Sequence, residues 1–313
     1  MKTFRYDKQK KFPIREISVA MGNFDGLHLG HKSVLDLAKQ KSQAGKFGVL
    51  TFDPHPREFF SPQAETFRLM SNTTKKLKLK KLGLEVLLEV PFTKEISLLE
   101  PITFIKEILC EHFKINHIVI GEDFKFGHER SGDAQLLKTL GSSFGISVNI
   151  APLLKTDALN ISSTAVREAL KNGNPKKVSK MLGEWYSIVG TVIEGDRRGR
   201  TLGFPTINLD LSGLHLPKFG VYSGVTTILT GSHKGSYPSA ISIGERPTYG
   251  KNKPNLEAHL LNFSNDVYAE QVSVSLIAFQ RPEISFHSSE ELIKQMQKDC
   301  IIADNATQGI SSL

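Results

Sequence analysis

Two pairs of residues in this chain have the types and spacing that work on an anion requires. The first is His28 with His31, in the string Gly22-Asn23-Phe24-Asp25-Gly26-Leu27-His28-Leu29-Gly30-His31. Residues three apart at a helix start point the same way, and each imidazole can donate an N–H to a phosphate oxygen. Gly22, Gly26 and Gly30 let backbone approach a ligand closely, and the unsatisfied N–H groups of a helix start favour an anion. Two charged histidines at the positive end of a helix dipole are unfavourable unless an anion compensates them, which favours a phosphate site over two ordinary surface histidines. A metal reading is weaker, because no cysteine or third histidine lies nearby.

The second pair is Thr206 with Asn208, at the end of Gly195-Asp196-Arg197-Arg198-Gly199-Arg200-Thr201-Leu202-Gly203-Phe204-Pro205-Thr206-Ile207-Asn208. The loop is basic and glycine-rich, so amides and guanidinium groups could cradle phosphate. Alone it would also suit RNA. Thr206 and Asn208 tip the balance, because side chains two apart on a strand share a face, and a hydroxyl and an amide oxygen there can hold a hydrated Mg²⁺.

The elements that must position these residues differ between the two halves. From residue 17 to about 151, short apolar runs (ISVAM, FGVLTF, EVLLEV, HIVIG, SVNIA) alternate with stretches of helical period at 30–43, 101–112 and 133–144. This pattern predicts βαβ units and a parallel sheet, with ligand-binding loops beyond the carboxyl ends of its strands. After residue 184 the runs SIVGTVI, VYSGVTTIL, SAISIG, LEAHLLNF and VSVSLIAF are punctuated by Gly, Pro and Asn, with one amphipathic stretch at 288–303. That predicts an antiparallel barrel closed by a terminal helix. The boundary is placed near Gly183, giving regions 1–183 and 184–313.

Composition narrows the classes. The 313 residues suit two ordinary globular domains. The formal charge of +8, from 40 Lys and Arg against 32 Asp and Glu, draws anions without saying which. The two cysteines, Cys110 and Cys300, form no disulfide framework or zinc spacing, and the N-terminus lacks the apolar core of a signal peptide. No run of about 18 apolar residues occurs. A reducing, cytoplasmic setting is expected, with neither a nucleic-acid nor a membrane partner. The run KKLKLKK at 75–81 is expected to be a solvated helix face, since no aromatic side chains interleave for base stacking.

The string GNFDGLHLGH resembles the HxGH motif of the nucleotidyltransferase superfamily, in the version found in bacterial FAD synthetases. Three further segments are similar to that family: Thr51-Phe52-Asp53-Pro54-His55-Pro56, Gly121-Glu122-Asp123-Phe124-Lys125-Phe126-Gly127 and Ile161-Ser162-Ser163-Thr164-Ala165-Val166-Arg167. All fall where a parallel sheet would gather them at one edge. The resemblance implies transfer of AMP from ATP onto FMN, with His28, His31 and Arg167 catalytic and with ATP contacts from Gly22, Phe24, Asp25, Gly30, Ser163 and Thr164. It also implies flavin contacts from Asp53, His55, Pro56, Asp123, Phe124 and Phe126. On their own residues, Asp53 and His55 read equally as a rigid Pro-bounded turn, and Gly121–Gly127 as a turn with two packing phenylalanines. A cation in a first helical turn, as at Arg167, costs about 0.3–1 kcal/mol unless an anion faces it. Ala165 stands where that family often has Arg.

The second string resembles the GRxLGFPTxN signature of riboflavin kinases. Pro217-Lys218-Phe219-Gly220-Val221-Tyr222, Ile243-Gly244-Glu245-Arg246-Pro247-Thr248 and Leu256-Glu257-Ala258-His259-Leu260-Leu261-Asn262-Phe263 match that family in order, as does the tail with Phe286-His287-Ser288-Ser289, Leu292, Gln295 and Asp299. It implies phosphorylation of riboflavin with Glu257 as base, ATP contacts from Gly199, Arg200, Gly203, Thr206 and Asn208, Mg²⁺ on Thr206 and Asn208, and a flavin contact from Arg246. Without it, Glu257 and His259 read as surface residues of an alternating strand. Asn262, Asn265 and Ala269-Glu270 depart from the family pattern.

Overall fold

A computed structural model of the chain describes residues 1–14, 16–42, 46–62, 66–156, 159–195, 198–248 and 251–310. Contacts divide the chain into one unit of Met1–Glu65 with Asn72–Ser162 and another of Thr66–Ser71 with Ser163–Leu313.

The first unit is built on β1 (Lys2–Arg5), β2 (Ile17–Met21), β3 (Lys46–Asp53), β4 (Val86–Pro91), β5 (Ile115–Gly121) and β6 (Ser147–Ala151). Their order is β1-β4-β3-β2-β5-β6, and every neighbouring pair is parallel. All five residues of β2 are buried. A parallel sheet covered on both faces reads as a continuous apolar run rather than an alternating one. Ile17, Val19, Met21, Leu50, Leu88, Ile118 and Ile120 form its core with Phe104, Ile105, Ile108, Leu109 and Phe113.

Helices α1 (Leu29–Lys41), α2 (Pro56–Phe60), α3 (Asn72–Lys81) and α4 (Ala134–Ser143) belong to this unit. The helix expected at 101–112 is present, but Phe104–His112 is π-helical, and the Phe113 amide bonds to the Ile108 carbonyl five residues back. The basic run on α3 departs from the solvated face expected of it. Lys75 is buried and Lys76 pairs with Glu89 at 2.9 Å, while Lys80 and Lys81 are exposed. Of the run's two leucines Leu79 is buried and Leu77 exposed, and the aliphatic stem of Lys75 adds to the buried face.

In the second unit, β7 (Ser187–Thr191), β8 (Ile207–Asp210), β9 (Gly220–Ile228), β10 (Gly235–Thr248), β11 (Lys251–Leu260) and β12 (Gln271–Arg281) lie in the order β7-β12-β9-β10-β11-β8. All of their pairings are antiparallel. The two outer strands are joined just past β7, where Ile193 bridges Asn208 and its amide donates to the Asn208 carbonyl at 3.0 Å. This bridge nearly closes the ring, which gives the antiparallel barrel the sequence predicts.

Helices α5 (Ser163–Lys171), α6 (Pro175–Leu182) and α7 (Ser289–Thr307) complete this unit. Helix α6 starts on the Asn174 cap with Pro175 in its first turn and stops at Gly183, whose φ of 72° is left-handed and so favours glycine. The terminal helix α7 is tied to the barrel through Arg281, which donates to Asp299 at 3.0 and 2.6 Å. Among the described residues, no helix is long and apolar enough to cross a membrane.

Candidate active sites

In the first unit, three of the motif segments leave the carboxyl ends of adjacent central strands. The histidine loop follows β2, the segment with Pro54 follows β3, and Gly121–Gly127 follows β5, and β2 lies between the other two. Strand order alone therefore brings these loops together, as in open α/β sheets generally. The fourth segment opens α5, which from Ser163 onward belongs to the second unit.

The histidine loop is shaped by backbone. Phe24, Gly26 and Leu27 have φ of 50°, 89° and 49°, a left-handed turn that costs non-glycine residues about 1–2 kcal/mol each. Burial of the Phe24 and Leu27 side chains offsets that cost. His28 then caps α1, its Nδ1 accepting the His31 amide at 3.2 Å. The two imidazoles stack with centroids 3.6 Å apart and planes at 18°. Phe24 sets its ring edge against His31 at 5.3 Å. A Cβ at Gly30 would lie 3.2 Å from the His28 ring, which explains the glycine between the two histidines. Asp25 is buried beside them, and Gly22 lies under the Phe24 ring.

The neighbouring segments combine structural and exposed groups. Asp53 Oδ1 accepts from Asn72 Nδ2 at 2.8 Å. His55 caps α2, with Nδ1 accepting the Arg57 amide at 3.1 Å, Glu58 closing a capping box and Pro56 in the first turn. This local arrangement is the turn that the residues by themselves suggest. Phe126 is buried in the core and stacks on the half-buried Phe124 at 5.8 Å, whereas Asp123 is exposed. On α5, the Arg167 guanidinium donates from Nε to the Phe67 carbonyl at 2.6 Å and lies over the Phe67 ring, 5.1 Å from its centroid. Ser163 and Thr164 stand in the first turn of the same helix.

The barrel site is a matter of register. Asn208 on β8 pairs directly with Glu257 on β11, and Thr206 just before β8 donates its hydroxyl to Glu257 Oε2 at 3.3 Å. Asn255, two residues before Glu257 and therefore on the same face, donates to Asn208 Oδ1 at 3.3 Å and to Glu257 Oε1 at 3.4 Å. His259, two residues further along that face, hydrogen-bonds the Pro205 carbonyl at 2.8 Å and meets the Phe204 ring at 5.4 Å. Sequence reasoning passed over Asn255. Asn255 shares the strand face of the half-buried Glu257 and His259 but is itself buried, so only the strand register brings it out.

Thr206 also lines a cavity of about 540 Å³, together with Arg200, Phe263, Asn265, Asp266 and Tyr268. That volume lies in the range of small-molecule sites. A Cβ at Gly199 would collide with the Phe204 carbonyl, and one at Gly195 with the Asn208 amide, so the loop folds tightly onto the strand that carries Thr206 and Asn208. Gly203 has a φ of 87°, as a tight turn needs. Ala269 holds a φ of 62°, the left-handed region that favours glycine. Asp196, Arg197 and the side chains of Arg198 and Arg246 lie outside the described residues.

The two halves match two family models in the same order. Residues 11–165 match the model described as FAD synthetase, and residues 182–307 the one described as riboflavin kinase. The bifunctional riboflavin kinase/FMN adenylyltransferase of Haemophilus influenzae is 36% identical over 284 residues, covering 90% of this chain and 91% of that protein. Its counterparts in Escherichia coli K12 and Listeria monocytogenes are 33% and 35% identical over 287 residues, the former covering 91% of each chain and the latter 90% of this chain and 89% of that one. A crystal structure of a macrolide-efflux protein from Streptococcus pneumoniae superposes with a TM-score of 0.84 at 28% identity, over 97% of this chain and 99% of that one. Two family models matched in this order, and relatives 33–36% identical along some nine-tenths of the chain, place the chain in the bifunctional riboflavin kinase/FMN adenylyltransferase family.

Proposed function

We propose that the chain makes FAD from riboflavin in two steps at two sites. Residues 184–313 convert riboflavin and ATP to FMN and ADP, and residues 1–183 convert FMN and ATP to FAD and diphosphate. The observation that carries the reading is the convergence of Asn208 and Glu257 on Thr206, which itself lines the cavity of about 540 Å³. The 5′-hydroxyl of riboflavin stays protonated near neutral pH, so its attack on the γ-phosphorus needs a base. Glu257 accepts that proton, a role typically worth about 10²–10⁴-fold. Thr206 and Asn255, each donating to one carboxylate oxygen, orient it.

A hydroxyl and an amide oxygen are hard-oxygen donors of the kind Mg²⁺ takes, so Thr206 and Asn208 would hold it. When bound, Mg²⁺ would share the negative charge of the triphosphate. Gly199, Arg200 and Gly203 hold phosphate oxygens in this reading, and Arg246 contacts flavin.

Adenylyl transfer needs no enzymic base, because the attacking FMN phosphate is mostly dianionic at pH 7, its second pKa being about 6. What it needs is alignment and donors toward the departing diphosphate. In its neutral form, His28 accepts a backbone amide at Nδ1 and so carries its proton on Nε2, the tautomer that donates to a phosphate oxygen, and His31 stacks against it. Gly22, Phe24, Asp25 and Gly30 shape the ATP loop. The motif resemblance supports Ser163, Thr164 and Arg167 as phosphate contacts, and Asp53, His55, Pro56, Asp123, Phe124 and Phe126 as the flavin side. The positive net charge suits these anionic substrates, and we place the enzyme in the cytoplasm.

The test is a time course with riboflavin, ATP and Mg²⁺. FMN is expected first and FAD later. FMN alone would remove the N-terminal assignment, and no product would remove both.

A further inference from the structure

The basic run on α3 plays no part in the two reactions as described, yet one of its lysines touches the nucleotide loop. Lys75 is buried, and its Nζ donates to the Asn23 carbonyl at 3.1 Å. The Thr51 hydroxyl approaches the same carbonyl at 3.5 Å from the end of β3. Asn23 immediately precedes the left-handed Phe24, and its side-chain Oδ1 is enclosed with no hydrogen-bond partner. A turn that carries backbone strain and an unsatisfied acceptor persists only where its surroundings over-determine it. The peptide that Lys75 holds leads straight to the Phe24 ring, which rests on His31, which stacks on His28.

We propose that Lys75 is a positioning residue for adenylyl transfer: its ammonium pins the Asn23 carbonyl and so fixes the turn that sets the Phe24–His31–His28 stack. This rests on the reading of the histidine loop as the transferase site. Burying an ammonium is costly unless it is hydrogen-bonded. Donation to the Asn23 carbonyl satisfies one of its three N–H groups.

The experiment uses the full chain as Lys75→Met, Lys75→Arg and, as a control on the exposed side of the same run, Lys80→Met. Conversion of supplied FMN to FAD and of riboflavin to FMN is measured with kcat and KM separated, alongside thermal midpoints. Lys75→Met keeps the buried stem and removes the donor, so the transferase kcat should fall about tenfold, with KM for FMN and the kinase unchanged. Lys75→Arg, which retains a donor, should recover most of the loss, and Lys80→Met should behave as wild type. A Lys75→Met chain with wild-type kcat overturns the proposal. So does a loss that Lys75→Arg shares in full, that Lys80→Met reproduces, or that the kinase follows in step with a lowered midpoint. If the wild-type chain made no FAD from FMN, the reading of the loop itself would fail instead.

Discussion

The two candidate sites hold comparable polar side chains by opposite means. At the edge of the parallel sheet the scaffold is a loop: Phe24, Gly26 and Leu27 turn left-handed, a histidine caps the following helix, and ring stacking sets the imidazoles. In the barrel the scaffold is the ladder itself, where pairing of Asn208 with Glu257 brings the groups together and Asn255 ties them. A loop-borne site depends on backbone conformation and on the packing beneath it. A strand-borne site has its backbone fixed by ladder pairing, here of β8 with β11, and depends on side-chain identity.

That difference orders the expected effects of substitution. Glu257→Gln keeps shape and register but removes the base, so riboflavin phosphorylation should fall by about 10²–10⁴-fold while supplied FMN is still converted to FAD, both read by product separation. His28→Ala removes a phosphate donor together with a helix cap, and should lower adenylyl transfer by about 10²–10³-fold with the kinase intact. Asn255→Leu should reduce the kinase by at least about tenfold, since hydrogen bonds to charged groups contribute about 1.5–3 kcal/mol. Gly26→Ala adds one methyl group at a φ of 89° and should cost about 1–2 kcal/mol of loop strain, seen as a transferase loss of roughly tenfold or less. A Gly26→Ala chain with normal transferase activity would break the claim that the first site depends on its turn. An Asn255→Leu chain with a normal kinase would do the same for the ladder.

The sequence was most legible where period and strand length carry the signal. The five apolar runs between residues 17 and 151 became parallel strands, and the five after residue 184 became barrel strands. It was least legible where the cause is long-range. The strand Lys2–Arg5 is short and mostly exposed, held at the sheet edge by pairing with β4, and no local pattern announces it. Thr66–Ser71 counts with the second unit through contacts such as the Tyr186 hydroxyl on the Leu69 carbonyl, across 117 residues of sequence. Nor does a run of lysines say which one will be buried. At the sites the motifs named the residues but not what holds them: His55 caps α2 and Phe126 packs into the core. Asn255 lay outside every motif and emerged only from register.

Two independent sites, each incomplete without its own residues, make one direct demand. A Glu257→Gln chain and a chain carrying both His28→Ala and His31→Ala are incubated with riboflavin, ATP and Mg²⁺, first separately and then mixed, and FAD is quantified. Neither alone should make FAD from riboflavin, and the mixture should, because FMN made by the second chain is taken up by the first. A mixture that accumulates FMN without FAD, or either variant making FAD alone, would contradict the account.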